Sequence, residues 1–122
     1  MTKTVLIIDD SASLRQVVKL TLINAGYEVI EASDGLEAIK KLDGSKIHLI
    51  ICDVNMPNMD GITFVKHIKT MPHYKFTPII MLTTESLESK KQEGQAAGAR
   101  AWIVKPFKPD TMLNAVSKLI LP

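Results

Sequence analysis

Short apolar runs alternate with longer amphipathic segments along the whole chain. Thr4 to Ile8 is a continuous apolar run of strand length. In Ser13–Ile23, Leu14, Val17, Val18, Thr21 and Leu22 recur at helical spacing, which predicts an amphipathic helix. Ser11 or Ser13 can cap that helix, and Gly26 follows its end as a terminating glycine does. Tyr27–Ala32 predicts a second strand, and Asp34–Leu42 a short helix with Leu36, Ile39 and Leu42 inward. Ile47–Cys52 is a third strand, and Ile62, Val65 and Ile68 give a third helix its stripe. Pro78–Leu82 is a fourth strand with proline confined to its first position, where a missing donor is tolerated. Ser86 to about Ala97 reads as a polar, exposed helix and Ala101–Val104 as a fifth strand. Asp110–Leu121 closes the chain as a helix with Leu113, Val116 and Ile120 inward.

Strands alternating with helices predict an α/β fold, a doubly wound (βα)5 parallel sheet covered on both faces. The strands lack clean polar alternation, as expected when both faces are buried. Right-handed crossovers put every strand's C-terminal end on one edge of the sheet, which is where such folds bind ligands. No repeat, low-complexity stretch or linker interrupts residues 1–122, so one domain is expected, with Thr70–Thr77 as an ordered surface loop.

The composition narrows the choice of partners. Fifteen basic and thirteen acidic residues give a net charge of +2, too balanced for a nucleic-acid-binding face. No stretch is long and apolar enough to span a bilayer, and the N-terminal run is too short for a signal peptide. Cys52 is alone, which excludes an internal disulfide and a multi-cysteine zinc site, and its apolar neighbours predict a buried, inert thiol. A reducing, cytoplasmic setting is expected, with no nucleic-acid or membrane partner.

The chemistry lies at the strand ends. The first strand ends in Asp9 and Asp10, and the third ends in Asp53, so the three carboxylates converge. At about 4 Å, each like-charged pair would repel by roughly 4 kcal/mol at an effective dielectric of 20, so a cation must balance them. Oxygen-only ligands in small number suit Mg²⁺. Thr83 after the fourth strand and Lys105 after the fifth add a hydroxyl and an ammonium at the same edge. Together these are the parts for phosphoryl transfer, with Asp53 as nucleophile forming an acyl phosphate. No side chain is left as an evident base, which suits a self-modifying switch better than a fast hydrolase.

The segments IIDDS, DVNMPNMDG, LTTE and VKPF stand in order at these strand ends. On them the chain resembles the receiver domain of two-component response regulators over essentially its whole length, and most closely the single-domain chemotaxis regulators. The resemblance implies the flavodoxin-like strand order 2-1-3-4-5, of which chemotaxis receivers are a standard example. It implies that Asp53 accepts a phosphoryl group from a sensor histidine kinase (CheA-like). It implies Mg²⁺ held by Asp10, Asp53 and the backbone carbonyl of Asn55, with Asp9 acting through water. Lys105 would contact the phosphoryl group, Thr83 would be the switch hydroxyl, and the Lys105–Pro106 bond would be cis. Asn55 and Glu85 would tune the lifetime of the phosphoryl group. Trp102 stands where the family usually has tyrosine or phenylalanine, and reads either as a switch aromatic or as an ordinary half-buried one.

The output surface implied is the face of the helix at 86–97, the strand at 101–104 and the closing helix, around Ser86–Lys91, Trp102 and Lys108. A flagellar motor switch protein would bind it, and a phosphatase is a further partner. Such a chain is a phosphoacceptor with autophosphorylation and autodephosphorylation chemistry only, not a turnover enzyme. The absence of a linker or effector segment favours a stand-alone regulator. A phosphorelay intermediate and a receiver of a larger regulator are the alternatives. A haloacid-dehalogenase-type Mg²⁺-dependent phosphatase would want Asp-x-Asp after the first strand, and a flavodoxin would want a Ser/Thr/Gly-rich phosphate loop there.

His48, His67 and His73 share no ligand spacing and read as surface or helix-face residues. Lys40, Lys41, Lys90 and Lys91 read as solvated helix faces, with the second pair also open to a partner surface. Met56 and Met59 read as packing. Pro57 reads as a fixed φ in its loop, and Gly61 as a permissive residue opening the next helix.

Overall fold

The computed structural model describes residues 2–83 and 98–120. Its elements run β1 (Thr4–Ile8), α1 (Ala12–Asn24), β2 (Glu28–Ala32), α2 (Gly35–Lys41), β3 (Leu49–Asp53), α3 (Gly61–Ile68), β4 (Ile79–Thr83), β5 (Ala101–Val104) and α4 (Pro109–Leu119). The helix expected over 86–97 lies outside the described residues. All strand pairs are parallel, as the alternation of strands and helices predicts, and the order is β2-β1-β3-β4-β5, as the resemblance implies. β3 and β4 are buried at every position, the signature of central strands covered on both faces.

Two apolar layers sandwich the sheet. On one face Leu6, Ile8, Ile50, Cys52, Ile79 and Met81 meet Ala38 of α2 and Phe64, Val65 and Ile68 of α3. On the other, Val5, Ile7, Leu49, Ile51, Ile80 and Leu82 meet Val18 and Leu22 of α1 and Met112 and Val116 of α4. Helix ends follow local chemistry. Ser11, Asp34 and Asp60 cap α1, α2 and α3 by accepting the N–H of Leu14, Glu37 and Thr63. Gly26, at φ +96°, ends α1 in the left-handed conformation.

Several expectations are corrected. Val17 and Leu36, expected on inward stripes, are exposed. α1 turns an i, i+4 row of Leu14, Val18 and Leu22 to the sheet, which rotates Val17 outward. α2 seats Gly35 and Ala38 inward instead of Leu36, and at Gly35 a Cβ would meet the Met59 side chain at 3.0 Å, so that position favours a residue without one. β3 and β4 each begin and end one or two residues later than their apolar runs, so Asp53 and Thr83 are the last residues of their strands. His48 is not a surface residue. It is half-buried, its Nδ1 accepts the N–H of Thr4 at 3.0 Å, and burial lowers its pKa. The 70–77 connection is ordered by Tyr74, whose hydroxyl accepts the Gly44 N–H at 2.9 Å and donates to the Ser45 carbonyl at 2.8 Å.

Gly61 is required by space and not by an unusual φ. A Cβ there would lie 2.2 Å from the Asp53 carbonyl oxygen and 2.9 Å from the Val54 Cα, both backbone atoms. The Gly61 N–H donates to the Val54 carbonyl at 2.8 Å, so α3 starts directly against the end of β3. Gly61→Ala is therefore expected to destabilise the fold by about 1–3 kcal/mol through overpacking, read as a lower urea midpoint. A midpoint equal to that of the parent would mean the β3–α3 turn yields freely.

Candidate functional site

The C-terminal edge of the sheet brings Asp9, Asp10 and Asp53 together as the parallel topology requires. One carboxylate oxygen from each lies within 4.8 Å of the other two. Asp9 is almost wholly buried and Asp53 buried, while Asp10 is exposed. Lys105 reaches in from the end of β5, with Nζ 2.9 Å from Asp9 Oδ2 and 3.3 Å from Asp53 Oδ1. The Lys105–Pro106 bond is cis. Thr83 is fully buried at the end of β4, and its carbonyl accepts the Lys105 N–H at 2.7 Å. Asn55 is exposed in the loop after β3. Trp102 is half-buried and packs against the apolar layer shared with α2 and α3. Glu85 lies outside the described residues, as does the 86–91 part of the expected output face.

Asp9 is held on every side. Its N–H donates to the Ala32 carbonyl at 3.1 Å, continuing the β1–β2 ladder. Its Oδ1 accepts the Ser11 N–H at 2.8 Å, and its Oδ2 accepts Lys105. Its carbonyl accepts from Nη1 of Arg15. With both oxygens engaged, Asp9 is suited to orient a hydrated ion more than to bind one directly. Asp10 has neither hydrogen bond nor ion pair among the described residues, so its carboxylate is available as a ligand. Neither the Ser11 N–H on Asp9 nor the Arg15 guanidinium on the Asp9 carbonyl is among the expectations drawn from the sequence. The Asp-x-Ser turn leading into a helix was the legible signal for Ser11.

The loop after Asp53 is tied down on its far side. Asn58, at φ +69°, donates from Nδ2 to Asp34 Oδ2 at 2.9 Å, and Met59 covers Gly35. Both Met56 and Met59 pack on the core, as expected. The Cys52 thiol is fully buried, and burial pushes its pKa far up, which fits the inert reading.

Asp9 and Asp53 share the ammonium of Lys105, while Asp10 stands beside them with no ion pair among the described residues. Burial and the charge on Asp9 lift the Asp53 pKa to about 6, against the pull of Lys105 and the Asn55 N–H. Burial works against the Lys105 ammonium, but Asp9 and Asp53 outweigh it and hold its pKa above the ordinary value. The all-oxygen, net-anionic cluster fits a hard divalent cation.

The raised Asp53 pKa has a testable consequence for the metal-free protein. The folded state holds this proton more tightly than the unfolded chain, so acidification stabilises the fold from about pH 6 down towards the unfolded carboxyl value. Between pH 7 and pH 5 the parent should gain about 1 kcal/mol relative to Asp53→Asn. His48 acts in the opposite sense in both proteins and cancels in the comparison. Urea unfolding in chelator at the two pH values checks this, and parallel pH profiles would show that Asp53 is not strained.

Comparison with known proteins agrees with this geometry. The sequence profile of the response regulator receiver domain matches residues 5–117. The chain is 41% identical over 109 residues to the chemotaxis protein CheY1 of Helicobacter pylori, covering 88% of each. It is 37% identical over 121 residues to the chemotaxis protein CheY of Bacillus subtilis, covering 98% of this chain and 99% of that one. The structure of Vibrio cholerae chemotaxis protein CheY4 superimposes with a TM-score of 0.93 at 51% identity, over 98% of this chain and 99% of that one. Profile, relatives and fold agree that this chain belongs to the response regulator receiver family and is CheY-like over nearly its full length.

Proposed function

We propose that this chain is a chemotaxis-type response regulator whose Asp53 accepts a phosphoryl group from a sensor histidine kinase and thereby changes an output surface. The observation that carries the reading is the convergence of three carboxylates within 4.8 Å, two of them contacted by the ammonium of Lys105. In the transfer, an Asp53 carboxylate oxygen forms a bond to phosphorus. The phosphorus–nitrogen bond of a phosphohistidine breaks, and its electron pair leaves with the imidazole.

Each residue has a role that its position supports. Asp10, Asp53 and the Asn55 carbonyl would hold Mg²⁺, with Asp9 orienting its water. The ion, when bound, supplies positive charge to the phosphoryl oxygens. Lys105 sits between Asp9 and Asp53 and can turn its ammonium to the new phosphoryl group without a large movement. Thr83 ends the strand beside Asp53, in register with Val104 of β5, so its hydroxyl is the natural partner for a phosphoryl oxygen. Trp102 lies two residues before Val104 on β5 and can report or relay that change. The chain works as a phosphoacceptor switch in the cytoplasm and not as a turnover enzyme. Its output partner is a flagellar motor switch protein, by likeness to the chemotaxis relatives.

Incubation with acetyl phosphate and Mg²⁺, followed by intact mass, tests the core of this reading. One phosphoryl adduct that requires Mg²⁺ and is absent from Asp53→Asn is expected, with a change in Trp102 emission as it forms. Substitution of Asn55 or Glu85 should alter the decay rate of the adduct while leaving its formation intact. The phosphorylated parent should bind a motor-switch peptide more tightly than the unmodified chain. An adduct retained in Asp53→Asn would overturn the assignment, and unchanged peptide binding would point to another output partner.

A further inference from the structure

We infer that Arg15 is a positioning residue for the metal-binding acids, fixing the peptide that joins Asp9 to Asp10. The inference rests on reading the acidic cluster as a divalent-cation site. Adjacent residues of an extended strand send their side chains to opposite faces. Here Asp9 and Asp10 nevertheless place oxygens within 4.8 Å of each other and of Asp53, so the chain must turn at the peptide between them. That turn begins where β1 ends at Ile8, and the Ser11 N–H on Asp9 Oδ1 draws it closed.

The plane of this peptide decides where Asp10 points. Its carbonyl, that of Asp9, accepts from Nη1 of Arg15, one turn into α1. The guanidinium is itself anchored. Its Nε lies 3.4 Å from Glu31 Oε1 on β2, and Glu31 Oε2 is also paired with Lys19 at 3.3 Å. The Arg15 side chain is mostly buried, with 18% of its surface exposed. A planar fork can hold two acceptors at a fixed mutual angle, which a lysine ammonium cannot do. Arg15 thus ties the Asp9–Asp10 peptide to the edge strand through Glu31, while Asp9 N–H bonds the same strand at Ala32. Asp10 has no such restraint of its own among the described residues, so its direction depends on that peptide.

Charge and positioning make opposite predictions. Arg15 is a cation close to a cation site, so through charge alone its removal would tighten Mg²⁺ binding. Through positioning, its removal frees the peptide and weakens binding. Titration calorimetry of Mg²⁺ into the full chain separates the two, with thermal midpoints in chelator as the measure of fold.

Arg15→Gln and Arg15→Lys should each raise the Mg²⁺ Kd by about tenfold, the usual effect of losing a residue that orients ligands. Glu31→Gln should weaken binding in the parent but add little in the Arg15→Gln background, since it acts through Arg15. Binding by Arg15→Gln that equals or exceeds the parent's, or a parental Kd in Arg15→Lys, overturns the inference. Loss of cooperative melting in both variants overturns it too, by making Arg15 a residue of the fold. A parent that binds no Mg²⁺ overturns the metal reading of the site and this inference with it, whereas variant effects bear on Arg15 alone.

Discussion

The mutual repulsion of Asp9, Asp10 and Asp53 at one edge of the sheet is the constraint around which the site is built. Two unit charges about 4 Å apart cost roughly 4 kcal/mol at an effective dielectric of 20, and the single ammonium of Lys105 offsets only part of that. Burial of Asp53, with the charge on Asp9 added, lifts its pKa to about 6 against the pull of Lys105. A site in this condition is poised for a further cation and for a reaction that places charge on oxygens beside Lys105. The strain is tolerated because the strands beneath it are buried on both faces and anchor the acids' backbones.

Each part of the edge is fixed by a different device. Asp9 is saturated by Ala32, Ser11, Arg15 and Lys105. The loop after Asp53 is pinned at its start by the Gly61 N–H on Val54, and at its far side by Asn58 on Asp34. Lys105 is joined to β4 through the Thr83 carbonyl. The backbones of Asp9 and Asp53 therefore stand in a preorganised frame, and among the described residues the Asp10 carboxylate is held by no hydrogen bond or ion pair. Moving a switch from 1:99 to 99:1 takes about 5.5 kcal/mol of differential stabilisation, a scale that a few charge-assisted contacts to one phosphoryl group can supply.

Much of this was legible in the residues. The strands, the order of elements and the convergence of the acids follow from apolar periodicity together with the handedness of parallel crossovers. Asp53, Thr83 and Lys105 could be read because each directly follows an apolar run. Helix faces were less legible. Val17 and Leu36 are apolar and at helical spacing, yet hydrophobicity does not say which of two neighbouring stripes meets the sheet. In α2 the small residues Gly35 and Ala38 took the inward face, Gly35 where Met59 leaves little room for a Cβ.

The sequence by itself determined the fold class, the edge where the chemistry sits and the acids that sit there, because these depend on local pattern and on chain topology. Only the tertiary structure decided what holds those acids. Arg15 on Asp9, Asn58 on Asp34, His48 on Thr4 and the carbonyl of Asp53 against Gly61 are contacts between different elements. No periodicity within one segment encodes a contact of that kind. It depends on how far two elements stand apart and at what angle, and those are fixed only when both faces of the sheet are packed.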